Sequence, residues 1–215
     1  MFISKSHLSK ITGTLLGLTT MLTLPLYAQE SELLQLAQDI AQLKAEVTAL
    51  EAENEIENLQ RIFGFYIDKH QWTQTADLFA ENGTMEIGGS GVYRGKAHIL
   101  AYLQSQGAEG PQAGILNDHM QLQPVITVYQ DGTAKARWHH FAQEAVHGVS
   151  HHLSTGIYEN SYVYEDGVWK INSMQLYSSM RTPYDDGWAV TALPRSVPSM
   201  EVAPDSPPSS DYENY

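Results

Sequence analysis

The chain has 215 residues, a formal charge of −13 and no cysteine. This length is enough for one domain with additional segments. A chain without cysteine has neither a disulfide framework nor a cysteine-linked lipid anchor. Nucleic acid binds clustered Lys and Arg, and here the few cationic residues are scattered, so we expect no nucleic-acid partner.

Residues 1–28 have the features of a secretory signal peptide. Lys5 and Lys10 give a basic start, residues 11–26 form an apolar run interrupted by threonines, and residues 26–28 end in a small residue suited to cleavage. The run is too short and too polar for a membrane span. We therefore expect a periplasmic or secreted protein with no stable membrane anchor after cleavage.

Residues 29–54 form a predicted helical segment with a heptad pattern. Its apolar residues alternate in steps of three and four, and they are Leu33, Leu36, Ile40, Leu43, Val47 and Leu50. This is the a/d spacing of a coiled coil, and Asn54 takes the next a position. The segment is short, so self-association as a dimer or trimer and docking within the chain both stay open.

A globular domain is predicted for residues 55–181. Helical spacing is found at residues 56–66, and shorter helical patterns follow near 72–79 and 97–103. Extended patterns follow, beginning with a short strand at 84–87 and continuing through residues 125–129 and 133–143. Helices that precede antiparallel strands predict the α+β class, with the helices covering one face of a curved antiparallel sheet.

The sequence GIYENSYVYEDGVWKI at residues 156–171 predicts a β-hairpin. Asp166-Gly167 between two alternating apolar runs is the signature of a two-residue type I′ turn. Such a turn pairs Tyr164 with Trp169, Tyr162 with Ile171, and Asn160 with Ser173, and it puts Tyr158 and Asn160 on the aromatic face. That face can form the core or line a pocket.

Residues 182–215 are rich in proline and predict an extended or disordered tail. Within it, the aromatic residues Tyr184 and Trp188 are candidates for docking back onto the domain.

Five of the nine histidines lie between His139 and His152. Adjacent residues on a strand face opposite ways, so the pairs at 139–140 and 151–152 cannot each aim two imidazoles at one metal ion, and we predict no metal site. The alternative is that His140 and His152 meet across neighbouring strands and serve acid–base chemistry.

Asp68 and His119 are a second candidate pair. A carboxylate that contacts a histidine orients the ring and fixes its tautomer, as a general base requires. Otherwise Asp68 is a turn residue and His119 an ordinary strand residue.

Several short motifs occur in a characteristic order: Tyr66-x-Asp68-x-x-x-Trp72, Gly91-Val92-Tyr93-Arg94-Gly95, Asn117-Asp118-His119 and Asp166-Gly167-x-Trp169-Lys170-Ile171. Residues 55–177 resemble the SnoaL-like branch of the nuclear transport factor 2 superfamily. The resemblance implies a cone-shaped sheet wrapped around helices, with a deep pocket. It also implies that His119 and Asp68 match the active site of scytalone dehydratase, whereas Ile67, Ile87 and Tyr158 depart from it.

The resemblance implies a cofactor-independent lyase or isomerase that acts on a small apolar carbonyl compound. The catalytic residues would be His119 and Asp68. The residues predicted to bind substrate are Tyr66, Trp72, Trp138, His140, Tyr158 and Asn160. A non-catalytic domain for ligand binding or oligomerisation is the alternative.

Overall fold

The structure, a computed structural model, describes residues 12–192 and 201–209, with side chains from residue 29 onward. The chain divides into two compact units, Met1–Leu50 and Glu51–Tyr215. The prediction of a signal peptide falls partly on residues 1–11, which lie outside the described residues. The predicted cleavage site lies within the first helix, where only the backbone is described.

The first unit is formed by the long helix α1, Thr12–Asp68, which continues into the second unit. The helical pattern of the heptad segment is therefore confirmed. Its six a and d residues are all substantially exposed, at 46–64% of their surface. Among the described residues, no helix combines the length and the hydropathy needed to cross a membrane.

In the second unit, the end of α1 is followed by α2, Trp72–Asp77, the strands β1, Phe79–Ile87, and β2, Val92–Arg94, and the helix α3, Lys96–Ser105. Strand β1 begins five residues before the predicted strand at 84–87. Asn82 and Gly83 lie at an irregularity of this strand, where the pairing with its neighbour shifts between Phe79 and Thr84.

Four long strands complete the second unit: β3, Ile115–Val128, β4, Thr133–Val146, β5, Ser150–Glu165, and β6, Val168–Pro183. The six strands form one curved, open sheet in the order β2-β1-β6-β5-β4-β3. The predicted α+β class is confirmed. One pair differs from the antiparallel expectation, because β1 runs parallel to β6.

The β5–β6 hairpin has the predicted turn. Asp166 and Gly167 both have positive φ, at 51° and 83°, as a type I′ turn requires. Tyr164 pairs with Trp169 as expected, but the predicted pairing of Asn160 is wrong. A register shift between Ser161 and Tyr162 leaves Asn172 unpaired, so Asn160 lies opposite Met174 rather than Ser173.

The core of the second unit lies between the helices and the concave side of the sheet. Ile56 and Phe63 of α1 enter it together with Ile99 of α3, and each is at most 2% exposed. Phe63 meets the ring of Tyr158 edge-on, with 6.2 Å between ring centroids. The aromatic face of the hairpin is therefore mainly core, and it reaches a cavity at Tyr158.

The described part of the C-terminal segment, residues 201–209, is extended along the edge strand β2. The backbone N–H of Val92 donates to the carbonyl of Ser206 at 3.0 Å, and the N–H of Asp205 donates back to Val92 at 2.9 Å. The Asp205 carboxylate accepts bonds from the Arg94 N–H and from His98 Nδ1, both at 2.7 Å. The predicted extended tail is therefore docked here. Residues 193–200 and 210–215 lie outside the described residues.

Candidate active site

The second unit contains a cavity of about 560 Å³ between the helices and the sheet. Its walls come from the end of α1, from α2 and α3, and from strands β1, β3, β4, β5 and β6. The lining combines apolar groups such as Phe63, Met85 and Leu176 with polar groups of the central strands. A cavity that brings polar groups together beside apolar walls is typical of a small-molecule site.

Asp68 and His119 meet at this cavity. One carboxylate oxygen of Asp68, the last residue of α1, accepts two hydrogen bonds from His119 of β3, one from the backbone N–H and one from ring Nδ1, both at 2.8 Å. A carboxylate accepts only, so Nδ1 carries the proton of the neutral ring and Nε2 has a free lone pair. The side chains are 16% and 19% exposed for His119 and Asp68. This is the geometry of an oriented general base.

His140 of β4 lies beside His119, with 5.8 Å between their ring centroids. Burial is the main cause that lowers the pKa of His140 to about 3, and repulsion from the His119 ring in its protonated form contributes less. The ring is therefore neutral at physiological pH. Its Nε2 lies 3.4 Å from the hydroxyl of Ser154, and its buried Nδ1 has no partner.

The register of β4 and β5 contradicts the expected meeting of His140 and His152. His140 pairs with Gly156, whereas His152 pairs with Glu144. The reason is the turn between Val146 and Ser150, which fixes the register of the whole hairpin.

Tyr158 of β5 supplies a buried phenol at the cavity wall. It meets His140 edge-on, with 5.5 Å between ring centroids. Burial raises the pKa of Tyr158 above its usual value, and a hydrogen bond with Gln121 only partly offsets this effect. The hydroxyl therefore keeps its proton and can donate to an oxygen that becomes negative during a reaction.

A carboxylate and a guanidinium line the cavity at its more exposed part. Glu144 Oε1 lies 3.9 Å from Nε2 of His119, and Glu144 Oε2 lies 3.6 Å from Arg181 of β6. Glu144 and Arg181 are 39% and 35% exposed. Glu144 therefore lies between the free nitrogen of the candidate base and a cation.

Another part of the lining is formed around Trp72. Its indole N–H donates to the carbonyl of Gly107 at 2.8 Å, and its ring stacks on His70 at 4.5 Å between centroids. His70 has a positive φ of 51° and contacts the side-chain amide of Asn117 through Nε2. These contacts fix the wall of the cavity where α1 ends.

The cavity thus includes three of the six predicted substrate-binding residues, namely Trp72, His140 and Tyr158. The other three, Tyr66, Trp138 and Asn160, are not part of its lining. Trp138 donates its indole N–H to the hydroxyl of Tyr162 at 3.0 Å, and Asn160 donates to Gln60 at 3.0 Å. The polar atoms of Trp138 and Asn160 are thus bonded within the core.

Sequence reasoning missed several lining residues, chiefly His70, Asn117, Glu144 and Arg181. Side-chain alternation could have found two of them. Asn117 precedes His119 by two positions on β3, and Glu144 follows His140 by four positions on β4. No comparable signal marks His70 or Arg181.

Within residues 12–192 and 201–209, no three His, Asp or Glu side chains are grouped so that they could hold a metal ion.

Solved structures with the same fold span most of this domain. A proposed scytalone dehydratase from Novosphingobium aromaticivorans is 18% identical, with a TM-score of 0.57, and the match covers 69% of this chain and 93% of that chain. A hexachlorocyclohexane dehydrochlorinase is 20% identical, with a TM-score of 0.54 and coverage of 62% and 89%. A nuclear transport factor 2-like protein from Novosphingobium aromaticivorans is 24% identical, with a TM-score of 0.51 and coverage of 69% and 92%.

No curated protein matches the chain. The SnoaL-like domain family, in contrast, matches residues 48–175, which include Asp68, His119, His140 and the cavity strands up to the middle of β6. That match covers more than half of the sequence, and the chain therefore belongs to the SnoaL-like domain family.

Proposed function

We propose that the protein is a cofactor-independent lyase or isomerase that uses His119 as a general base on a small, largely apolar carbonyl compound. The observation that carries the proposal is the double contact of Asp68 with His119, because it orients the ring and fixes the proton of the neutral tautomer on Nδ1, which leaves Nε2 as the basic nitrogen at the cavity. The fold neighbours described as a scytalone dehydratase and a dehydrochlorinase support the same class of chemistry.

In the proposed reaction, Nε2 of His119 takes a proton from the carbon next to the substrate carbonyl. The electrons of the broken C–H bond move into an enolate, whose oxygen accepts a hydrogen bond from a neutral donor such as Tyr158. Asp68 stabilises the imidazolium that forms. A hydroxyl on the next carbon can then leave as water after protonation, or the proton can return at another carbon to give an isomer.

The cavity favours a substrate of modest size and mixed character. Aromatic and aliphatic groups such as Phe63 and Leu176 suit an apolar body, whereas the polar groups of the central strands suit the polar substituents of the substrate. We also propose export to the periplasm or outside the cell, for which the N-terminal sequence is the support.

Proton abstraction itself is the most direct test, since it does not require the natural substrate. The protein would be incubated in D₂O with a panel of cyclic and aromatic ketones, and deuterium uptake at the carbon next to the carbonyl would be followed by mass spectrometry. We expect uptake with at least one ketone, and a loss of roughly 100-fold or more in His119→Gln and in Asp68→Asn.

The control is His139→Gln, because His139 is exposed and adjacent to His140 on the opposite side of β4. It should keep the wild-type rate. Uptake that is equal in the wild type and His119→Gln would refute the base. Tight ketone binding without any uptake would favour a ligand-binding protein instead.

A further inference from the structure

The heptad face of α1 has no partner among the described residues of the chain. Leu33, Leu36, Ile40, Leu43, Val47 and Leu50 are 60%, 54%, 46%, 60%, 52% and 64% exposed. Six large apolar side chains on one side of a helix form a patch that a soluble protein rarely leaves in water. The question is what covers it.

The core of the second unit uses other positions of α1. In the same heptad register, Ala52 and Leu59 occupy f positions and Ile56 occupies a c position, and all three are at most 9% exposed. The a and d positions face away from f and c on a helix. The positions that α1 gives to the core of the second unit are therefore not the a and d positions of the heptad pattern.

The residues on this face are those of a two-stranded coiled coil. Of its a positions, two are occupied by the β-branched residues Ile40 and Val47, and every d position holds leucine. This combination favours two strands over three or four. Asn54, at the following a position, is exposed and available to pair with its counterpart.

The charges beside the seam select the orientation. The g positions hold only acids, namely Glu32, Asp39, Glu46 and Glu53. An antiparallel pair would place these acids against one another. A parallel pair places g against e of the other helix, which joins Asp39 to Lys44 and leaves Glu46 with Glu51 as the one like-charged contact.

We infer that a second copy of this chain covers the seam, and that residues 33–54 form a parallel, in-register, two-stranded coiled coil. The protein is thus a dimer held through α1, with each copy carrying its own complete cavity. This inference does not depend on the proposed function.

The first test is sedimentation equilibrium of the protein as the cell produces it. We expect the mass of a dimer, and a weakening of association by at least tenfold in Leu43→Glu. The matched control is Leu34→Glu, which makes the same change at a b position whose leucine is 61% exposed. It should leave the dimer intact. Both leucines are exposed, so the fold of the second unit should survive, which a cooperative thermal transition would verify.

The second test uses the absence of cysteine from the sequence. Leu36→Cys should form a disulfide-linked dimer on mild oxidation, because a parallel pair places position 36 opposite itself. In an antiparallel pair a positions lie opposite d positions, so position 36 would lie opposite position 47, about 17 Å from its counterpart along the axis. Leu34→Cys should cross-link much more slowly.

Four outcomes would overturn the inference. A monomer at all concentrations would show that the seam has no copy of itself as a partner. A dimer that resists Leu43→Glu would place the contact elsewhere, and a trimer, or a dimer that Leu36→Cys fails to cross-link, would exclude the parallel two-stranded arrangement.

Discussion

The carboxylate of Glu144 lies 3.9 Å from Nε2 of His119, the ring nitrogen that Asp68 leaves free. The two acids therefore contact opposite ends of one imidazole. Asp68 is fixed by the backbone of β3, whereas Glu144 is more exposed and shares its charge with Arg181 at 3.6 Å. Under the proposed function, Asp68 orients the base, and Glu144 stabilises the proton that the base acquires.

Glu144→Gln tests this division of roles. The substitution keeps the size and removes the charge, so the imidazolium form of His119 loses one favourable interaction. The pair is partly exposed and screened by solvent, so we expect a loss of about 1 kcal/mol, which is roughly a fivefold slower deuterium uptake in the ketone assay.

The control is Glu159→Gln, since Glu159 projects from the other face of β5 and pairs with Arg137 at 2.8 Å. It should change the rate little. A Glu144→Gln protein with the full wild-type rate would mean that the contact at 3.9 Å is incidental.

Because the pKa of His140 is lowered in the folded protein, we expect the free energy of unfolding to depend on pH. Its pKa is about 3 in the folded protein against an ordinary value of 6.5, chiefly because the ring is buried. Between these two values the unfolded chain binds a proton that the folded chain does not, so the free energy of unfolding falls as the pH falls. The slope from this one residue is about 1.4 kcal/mol per pH unit.

Urea denaturation between pH 4 and pH 7 measures this slope. His140→Gln should reduce it by nearly one proton, whatever the substitution does to stability at neutral pH. The adjacent, exposed His139 provides the comparison, because His139→Gln should keep the wild-type slope. Equal slopes in all three proteins would contradict a buried neutral imidazole at residue 140.

Local sequence signals predicted the hairpin turn well and its register less well. Asp166-Gly167 suits two positive φ angles, and the pairs next to the turn follow from that geometry alone. The extra residue at Asn172 has no comparable signal, because a bulge in the interior of a sheet depends on how neighbouring strands twist. The shift at this point is what places Asn160 opposite Met174.

The relation between Asp68 and His119 came from a resemblance rather than from spacing, since 51 residues separate them. The strand partner of His140, in contrast, could have been predicted from the sequence. A turn centred on Gly148, which has a φ of 73°, pairs residues whose numbers add to 296, and it therefore pairs His140 with Gly156 instead of His152. Arg181 enters the cavity from β6, and only the complete sheet order shows that.

The carboxylate of Asp205 helps to hold residues 201–209 against β2. The N–H of Arg94, with help from His98, keeps the pKa of Asp205 below its usual range, so the carboxylate is charged at neutral pH. In Asp205→Asn we expect faster hydrogen exchange at the amides of Val92 and Arg94, since the segment that covers β2 loses its charged acceptor. Global stability should change by less than about 0.5 kcal/mol, because the group is exposed.

Hydrogen-exchange mass spectrometry of the peptide that contains β2 measures the effect. Asp131→Asn serves as the control, since Asp131 accepts bonds from Thr133 in an exposed turn and makes no contact with β2. Unchanged protection of β2 in Asp205→Asn would mean that the backbone bonds to Ser206 suffice.

We expect the replacement of Gln60 to lower the free energy of unfolding markedly. It is fully buried on α1, its amide oxygen accepts bonds from Asn160 at 3.0 Å and from the Tyr162 hydroxyl at 2.9 Å, and its nitrogen donates to Gln121 at 2.9 Å. Gln60→Met keeps the length of the side chain but leaves these buried groups without their partner. We expect a loss of about 2–3 kcal/mol in the free energy of unfolding.

Chemical denaturation measures the loss, and Gln42→Met provides the comparison. Gln42 lies on an exposed part of the same helix, where it bonds to Glu46, so its replacement should cost less than about 0.5 kcal/mol. Because the Gln60 network also holds Gln121, which contacts Tyr158, the same substitution should lower the rate of deuterium uptake in the ketone assay. A Gln60→Met protein as stable as the wild type would show that the sheet and α1 pack equally well without this network.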